Sequence, residues 1–347
     1  MRYAVKATHG DRTTRDEQFP SVRERRLHAH PQIPRAVRIA AQSAHRPCAV
    51  PQPGMKPPAF EYFAPTSIEH ALALLDEHGD GAKLLAGGQS LVPALNFRLA
   101  LPSVLVDLNS IAALARVRPS PDGSVVAGAM TRHRFFETDA SIGERLPLVQ
   151  RAMASVAHVA IRNRGTLGGS LCHADPSAEW PAVCLACDAE MVIRGAGGVR
   201  RLRAEAFSQG IFTTALEPGE MLVEVAFPAW PAARRWGFEE VARRRGDFAI
   251  VGVACVLDED ADGRCEHARI VVFGAADGPV LVQQAAAELM GRIPEASDMA
   301  RAARAARSAI DCRSDQHASA EYRSELIEAL TERAIVQALT RPGGTAA

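Results

Sequence analysis

The chain has 347 residues, 47% of them hydrophobic, enough to bury the cores of two or three domains. Its formal net charge is zero but unevenly spread: residues 1–54 carry ten Lys/Arg against four Asp/Glu, and the rest carry 30 against 36. The mildly acidic body argues against a nucleic-acid partner, and no apolar run approaches the roughly 20 residues of a membrane span.

Seven cysteines at positions 48, 172, 184, 187, 255, 265 and 312 have no regular spacing. They fit a reducing cytoplasm better than a disulfide scaffold. Cys184-Leu-Ala-Cys187 lies in the apolar run Pro181–Ile193 and reads as two buried small hydrophobes. No set of four has iron–sulfur spacing.

Residues 1–54 are rich in Arg, His and Pro and read as a disordered extension or a misassigned start. The twin Arg25-Arg26 lacks the apolar stretch of an export signal. Residues 55–108 read as a small α/β unit. Thr66 or Ser67 caps a helix to about His78, ended by Gly79-Asp80-Gly81. Lys83–Ala86 is a strand, Val92–Leu99 a helix, and Val104–Leu108 a buried strand.

Residues 109–230 read as a second α/β unit. Its strands are Ser124–Ala129, Glu190–Ile193 and Met221–Phe227, with a hairpin turn at Gly195–Gly198. Helices are expected at Arg132–Thr138, from Leu146 through Ala157 down to Ile161, and at Trp180–Ala186; Leu171–Asp175 reads as extended. Residues 231–341 read as an antiparallel sheet backed by helices. The strands are Trp236–Ala242, Ala249–Leu257 and Arg269–Gly274, and the helices Val282–Met290, Met299–Ile310 and Ser319–Leu339.

Two glycine-rich stretches carry the chemistry. The first is Leu84-Leu85-Ala86-Gly87-Gly88-Gln89-Ser90-Leu91, an apolar strand feeding a Gly-Gly turn and then a helix start. The second, about eighty residues on, is Arg162-Asn-Arg-Gly165-Thr166-Leu167-Gly168-Gly169-Ser170. Paired glycines admit positive φ and close approach of backbone to a ligand. Successive free N–H groups form a concave nest for an anion. Two such turns can hold one diphosphate from both sides. Neither has the G-x-G-x-x-G spacing of a Rossmann fold, and a Walker A loop is missing.

At these two stretches the chain resembles the FAD-binding medium subunit of the molybdenum hydroxylases, the group of xanthine dehydrogenase and aerobic carbon monoxide dehydrogenase. That family clasps the FAD pyrophosphate with an Ala-Gly-Gly-x-Ser turn and a Thr-(Ile/Leu)-Gly-Gly-(Asp/Ser/Asn) turn, present here as Ala86–Ser90 and Thr166–Ser170. The resemblance runs from about Met55 to Arg341 and includes Phe60-Glu61-Tyr62 and Gly246-Asp247-Phe248-Ala249. It implies an α+β chain, with two subdomains of a PCMH-type FAD-binding domain (55–108 and 109–230) and a C-terminal antiparallel sheet with helices (231–341).

The resemblance also implies further cofactor contacts. Glu179, nine residues past the second turn, sits where the family binds the FAD ribose; the bland reading is a helix N-terminal carboxylate. Val156 and Leu222 sit at flavin-contacting positions, and Asp175 follows the turn closely. Glu239 stands where the resemblance implies a Lys near the flavin, and Arg243–Arg245 is either a solvated charge run or a flavin border. A hydrolase built on Ser170 or Cys172 with His173 is poorly placed on an extended segment and lacks a G-x-S-x-G elbow.

The expected function is electron transfer. FAD would sit in this chain, with molybdopterin and 2Fe–2S centres only on partner subunits. The partners implied are a small iron–sulfur subunit and a large molybdenum subunit, assembled as a dimer of heterotrimers in the cytoplasm. The substrate pocket would lie on another subunit. The acceptor (NAD, a quinone, a cytochrome or oxygen) is left open. The alternatives are a stand-alone flavin oxidase and a non-catalytic nucleotide-binding module.

Overall fold

The computed structural model describes residues 56–341; the expected extension at residues 1–54 lies outside them. The Ser67 hydroxyl accepts the His70 N–H at 3.2 Å and caps helix α1 (Ile68–His78), whose buried side is Ala71, Leu74 and Leu75. This side covers a three-stranded parallel sheet of β1 (Glu61–Phe63), β2 (Ala82–Leu85) and β3 (Val104–Asp107), in the order β1-β3-β2. The central strand β3 buries Val104, Leu105 and Val106, which is why it reads as a continuous apolar run. Helix α2 (Leu91–Asn96) is shorter than expected, because Arg98 turns into the left-handed region at φ +57.

The second sheet contains β4 (Val117–Pro119), β5 (Val125–Gly128), β6 (Glu190–Gly195), β7 (Gly198–Arg203) and, beyond a small β8–β9 hairpin (Ser208–Gly210, Thr213–Thr214), β10 (Met221–Phe227). Its order is β4-β5-β10-β6-β7, and every pairing is antiparallel. The unit is therefore not α/β in the parallel sense. The two-residue Ala196-Gly197 turn allows only an antiparallel partner.

The helix expected from Leu146 to Ile161 is split into Pro147–Met153 and Val159–Arg162. Ala157 takes φ +43 at the break. The Arg162 guanidinium donates to the carbonyls of Val156 at 2.8 Å and Ala157 at 2.7 Å, standing in for lost helical donors. The same guanidinium pairs with Glu137.

Residues 167–173 form helix α3 (Leu167–His173), ended by Ala174 at φ +50. The extended reading of Leu171–Asp175 is thus corrected, and with it the argument from opposite-facing neighbours at Cys172 and His173. The His173 ring instead packs against Phe212, centroids 4.9 Å apart. Helix α4 (Glu179–Ala186) is buried along its whole length, Cys184 included, and Cys187 just beyond it is buried too.

The third sheet, β11 (Arg235–Ala242), β12 (Ala249–Glu259), β13 (Cys265–Phe273) and β14 (Val280–Leu281), is antiparallel in that order. Strand β13 begins four residues before the expected Arg269. Strand alternation divides the apolar side chains of β12. Val253, Cys255 and Leu257 face a core shared with helices α5 (Ala296–Ala309) and α6 (Ala320–Thr340). Ala254 and Val256 join Phe238, Phe273, Phe136 and Trp180 in a core shared with the second sheet.

Candidate functional site

The first glycine turn leaves β2 at Ala86 and enters α2 at Leu91. Gly88 takes φ +73, a conformation glycine adopts without strain. The N–H groups of Gly88, Gln89, Ser90 and Leu91 have no acceptor among the described residues. The Gln89 side chain folds back to donate to the Gly87 carbonyl at 3.0 Å. Beneath the turn is a cavity of about 220 Å³ lined by Leu85, Ala86, Gly87, Gly88, Gln89 and Arg164, among others. Leu85 is buried, whereas Leu84 and Leu91, expected at the site, are half-buried against hydrophobic clusters and do not line the cavity.

The second stretch is built differently. Thr166 is buried, and its hydroxyl caps α3 by accepting the Gly169 N–H at 3.0 Å. Leu167 N–H donates to Thr131 O at 3.0 Å, Gly168 N–H to Ala129 O at 2.7 Å, and Ser170 N–H to Thr166 O at 3.0 Å. These groups are spent inside the protein, so this turn is not the open anion nest its glycines suggested. The glycines are needed for close packing, and none of them has positive φ. A Cβ on Gly168 would lie 2.5 Å from that of Ala129, and one on Gly165 would lie 2.6 Å from the His133 ring.

The two stretches meet. A Cβ added to Gly87 would lie 2.4 Å from the Arg164 carbonyl oxygen, and one added to Gly169 would lie 3.4 Å from the Ala86 Cβ. The Arg164 side chain lines the cavity, and its Nε has no hydrogen-bond partner. Arg132 lies beside it; burial and then the Arg164 charge push the Arg132 pKa down, against the pull of Asp107. A cradle of free N–H groups next to two adjacent guanidiniums suits a diphosphate.

A second cluster lies around Arg162, four residues before Thr166. Glu179, the first residue of α4, is buried. Burial, the Glu240 carboxylate and Asp175 together hold its carboxyl well above the usual range, with Arg162 opposing. Burial likewise pushes Glu240 up to about 7, opposed by Arg151 and Ser155. Val156 is buried beside this cluster, its carbonyl bonded to Arg162. Asp175 Oδ1 accepts the Ser177 N–H at 2.9 Å, closing the turn into α4. Leu222 is a core residue at 2% exposure, which leaves its backbone rather than its side chain for any ligand contact.

Glu239 accepts from Gln337 of α6 at 3.1 Å. Adjacent strand residues face opposite ways, so it is Glu240, unremarked in the sequence, that faces the cluster. The Arg243–Asp247 loop packs against this region: a Cβ on Gly246 would lie 2.7 Å from the Ala157 carbonyl. Arg243 and Arg244 pair with Asp247 at 3.0 and 3.7 Å, and Phe248 is 63% exposed.

Residues 58–230 match the family model for the FAD binding domain in molybdopterin dehydrogenase, and residues 236–338 that for the CO dehydrogenase flavoprotein C-terminal domain. The chain is 43% identical over 287 residues to the 6-hydroxypseudooxynicotine dehydrogenase complex subunit alpha of Paenarthrobacter nicotinovorans, across 83% of this chain and 97% of that protein. This chain belongs to the FAD-binding medium subunits of the molybdenum hydroxylases. Caffeine dehydrogenase subunit beta of a Pseudomonas species is 40% identical over the same shares. Among solved structures, carbon monoxide dehydrogenase from Hydrogenophaga pseudoflava superposes with a TM-score of 0.80 at 36% identity, over 83% of this chain and 99% of that one.

The expected α+β class holds, and FAD is the cofactor of this chain. It is an electron-transferring flavoprotein subunit of an oxidoreductase. The described residues fit the cofactor: the Gly88–Leu91 N–H groups have no acceptor among the described residues, and the buried Arg164 Nε beside them is unsatisfied. Sequence reasoning missed Arg132, Arg164, Asn109 and Glu240. The arginine preceding Gly165 was the only one with a local signal.

Proposed function

We propose that this chain holds FAD with its diphosphate over Gly87–Leu91 and Arg164, and passes electrons from 2Fe–2S centres of a small partner subunit to an external acceptor. The row of unpartnered N–H groups at Gly88–Leu91, set beside the unsatisfied Arg164 Nε, carries this reading. The Ser170 hydroxyl would close the second side of the diphosphate, while Thr166, buried and capping α3, would hold that turn in place. Glu179 and the Val156 carbonyl side of the Arg162 cluster face the remainder of the cofactor, with Phe248 exposed at its border. Bound FAD accepts two electrons and releases them singly; the protein supplies placement and electrostatics. Arg132 and Arg164 would offset the diphosphate charge, and the buried Glu179–Glu240 pair would hold a proton nearby.

The partners proposed are the small iron–sulfur subunit and a large molybdenum subunit, as a dimer of heterotrimers in the cytoplasm. The relatives named for complexes and subunits support a heteromer. Among the described residues no helix is long and apolar enough to cross a membrane.

The test is to mix purified FAD-loaded chain, without oxygen, with nitrogen heterocycles, purines and aldehydes, and to follow flavin absorbance. Nitrogen heterocycles come first because relatives are named for nicotine and caffeine. No bleaching by the isolated chain, followed by bleaching once the molybdenum and iron–sulfur partners are added, is expected. Rapid bleaching of the isolated chain would make it a stand-alone oxidase.

A further inference from the structure

A hydrogen-bonded chain of side chains links the two glycine stretches along the cavity, whose lining includes Tyr62, Asp107 and Asn109. The Tyr62 hydroxyl donates to Asp107 Oδ2 at 2.5 Å. Asp107 Oδ1 accepts both the backbone N–H of Asn109, at 2.9 Å, and its side-chain amide. The same Asn109 amide donates to the Ala86 carbonyl at 2.9 Å, where the first glycine turn begins. Asn109 Oδ1 accepts from Arg132 Nη2 at 2.5 Å. The other Arg132 nitrogen, Nη1, donates to the Arg164 carbonyl, and Arg132 also pairs with Thr166 across an isolated antiparallel bridge.

Asn109 therefore touches the first stretch directly and the second through Arg132. Both hydrogens of its amide nitrogen are used, and its oxygen is already accepting a charged donor. Its amide is committed to the protein rather than free for a ligand. No other residue type of its size supplies two donors and an acceptor at one branch point. Leucine fills the same space and supplies none; aspartate keeps the acceptor for Arg132 but loses the donors and faces Asp107.

The geometry points to Asn109 as the positioning residue that holds the two glycine stretches in register around the FAD diphosphate, acting through Ala86 on one side and Arg132 on the other. This rests on the placement of the diphosphate proposed above. Asn109 sets the spacing between the free N–H row and the Arg164 side chain without touching the flavin ring.

The experiment uses the full chain, stripped of FAD and titrated with FAD, for wild type, Asn109→Asp and Asn109→Leu, with Arg132→Lys as an independent break in the same chain of bonds. Gly88→Val serves as control for the site. Flavin fluorescence gives the Kd, ³¹P NMR reports the two phosphorus shifts of bound FAD, visible circular dichroism reports the flavin ring, and thermal melting of the FAD-free protein reports the fold. In each variant that folds, Kd should rise about tenfold or more. Both phosphorus resonances should move while the flavin circular dichroism keeps its shape. An unchanged Kd and unchanged phosphorus shifts in Asn109→Leu, or in Arg132→Lys should the Asn109 variants not fold, would overturn the positioning role. FAD binding that is indifferent to Gly88→Val would overturn the underlying placement instead.

Discussion

Gly87 and Arg164 touch backbone to backbone: a methyl group on Gly87 would stand 2.4 Å from the Arg164 carbonyl oxygen and 2.9 Å from its carbon. The contact joins the parallel-sheet unit to the antiparallel one, and the cavity lies beside it. Neither group is a flexible side-chain end that could swing away. Gly87→Ala should therefore part the two stretches. We expect FAD affinity to fall about tenfold, equivalent to ~1.4 kcal/mol, with a drop of a few degrees in Tm. Flavin retained after gel filtration, read at the flavin absorbance band, measures it; full retention would show that the stretches separate freely.

Gly168→Val has a different consequence from the one its motif suggests. A Cβ there would lie 2.5 Å from the Ala129 Cβ and 2.9 Å from the carbonyl that the Gly168 N–H itself binds. The site is buried, and overpacking in such a place costs about 1–3 kcal/mol or more. Loss of folded protein, not an empty folded protein, is expected. Thermal melts with and without excess FAD check this. A variant that melts like wild type but holds no flavin would return this glycine to a direct ligand role.

Glu240 gives the FAD-free chain a pH signature. Its folded pKa, pushed up to about 7 by burial, lies above the unfolded value near 4.5. The unfolded chain thus releases this proton first, and stability present below about pH 4.5 is lost as pH rises through 7. Glu240→Gln removes the loss. Its Tm should exceed that of wild type by roughly 3–6 °C at pH 8.5, with little difference at pH 5. A constant difference between the two at both pH values would show that burial, not ionisation, governs the position.

His133 acts in the opposite sense. Burial, then Arg132 and Arg162, press its pKa down to about 3, and Trp180 Nε1 donates to its Nδ1 at 2.8 Å. The ring stays neutral while an unfolded histidine would protonate near 6.5. Stability is therefore full above 6.5 and declines as pH falls toward 3. His133→Phe should flatten that acid decline while losing about 1 kcal/mol near pH 7 from the unpaired Trp180 N–H. Chemical denaturation at pH 4.5 and 7.5 separates the two effects.

Ser170 offers a milder perturbation. Its N–H is spent on Thr166, so only the hydroxyl is available to a phosphate oxygen. Ser170→Ala should weaken FAD binding by about 0.5–1.5 kcal/mol and leave the melt of the FAD-free chain in place. Isothermal titration with FAD reads it, and an unchanged Kd would remove Ser170 from the site.

The sequence by itself determined whatever depends on neighbours along the chain. The helix start at Thr66 or Ser67, the buried run at Trp180–Ala186, the Gly195–Gly198 hairpin and the alternation of Met221–Phe227 all follow from local chemistry, and the structure has each of them, with Ser67 as the cap. The first glycine turn was legible in the same way, as Gly-Gly between a strand and a helix start, whereas the second Gly-Gly lies inside helix α3. The family's pattern then made FAD readable from them. What only the tertiary structure decided is which backbone groups remain free. The first turn keeps its N–H row because no described residue offers it an acceptor, whereas Ala129, Thr131 and Thr166 consume those of the second. The break at Ala157 was equally hidden, since it depends on the Arg162 guanidinium replacing helical donors. So was the choice between Glu239 and Glu240: strand register alone turns one toward Gln337 and the other toward Glu179. Hydrogen-bond satisfaction and strand facing are settled by residues far away in sequence, and a linear reading has no access to them.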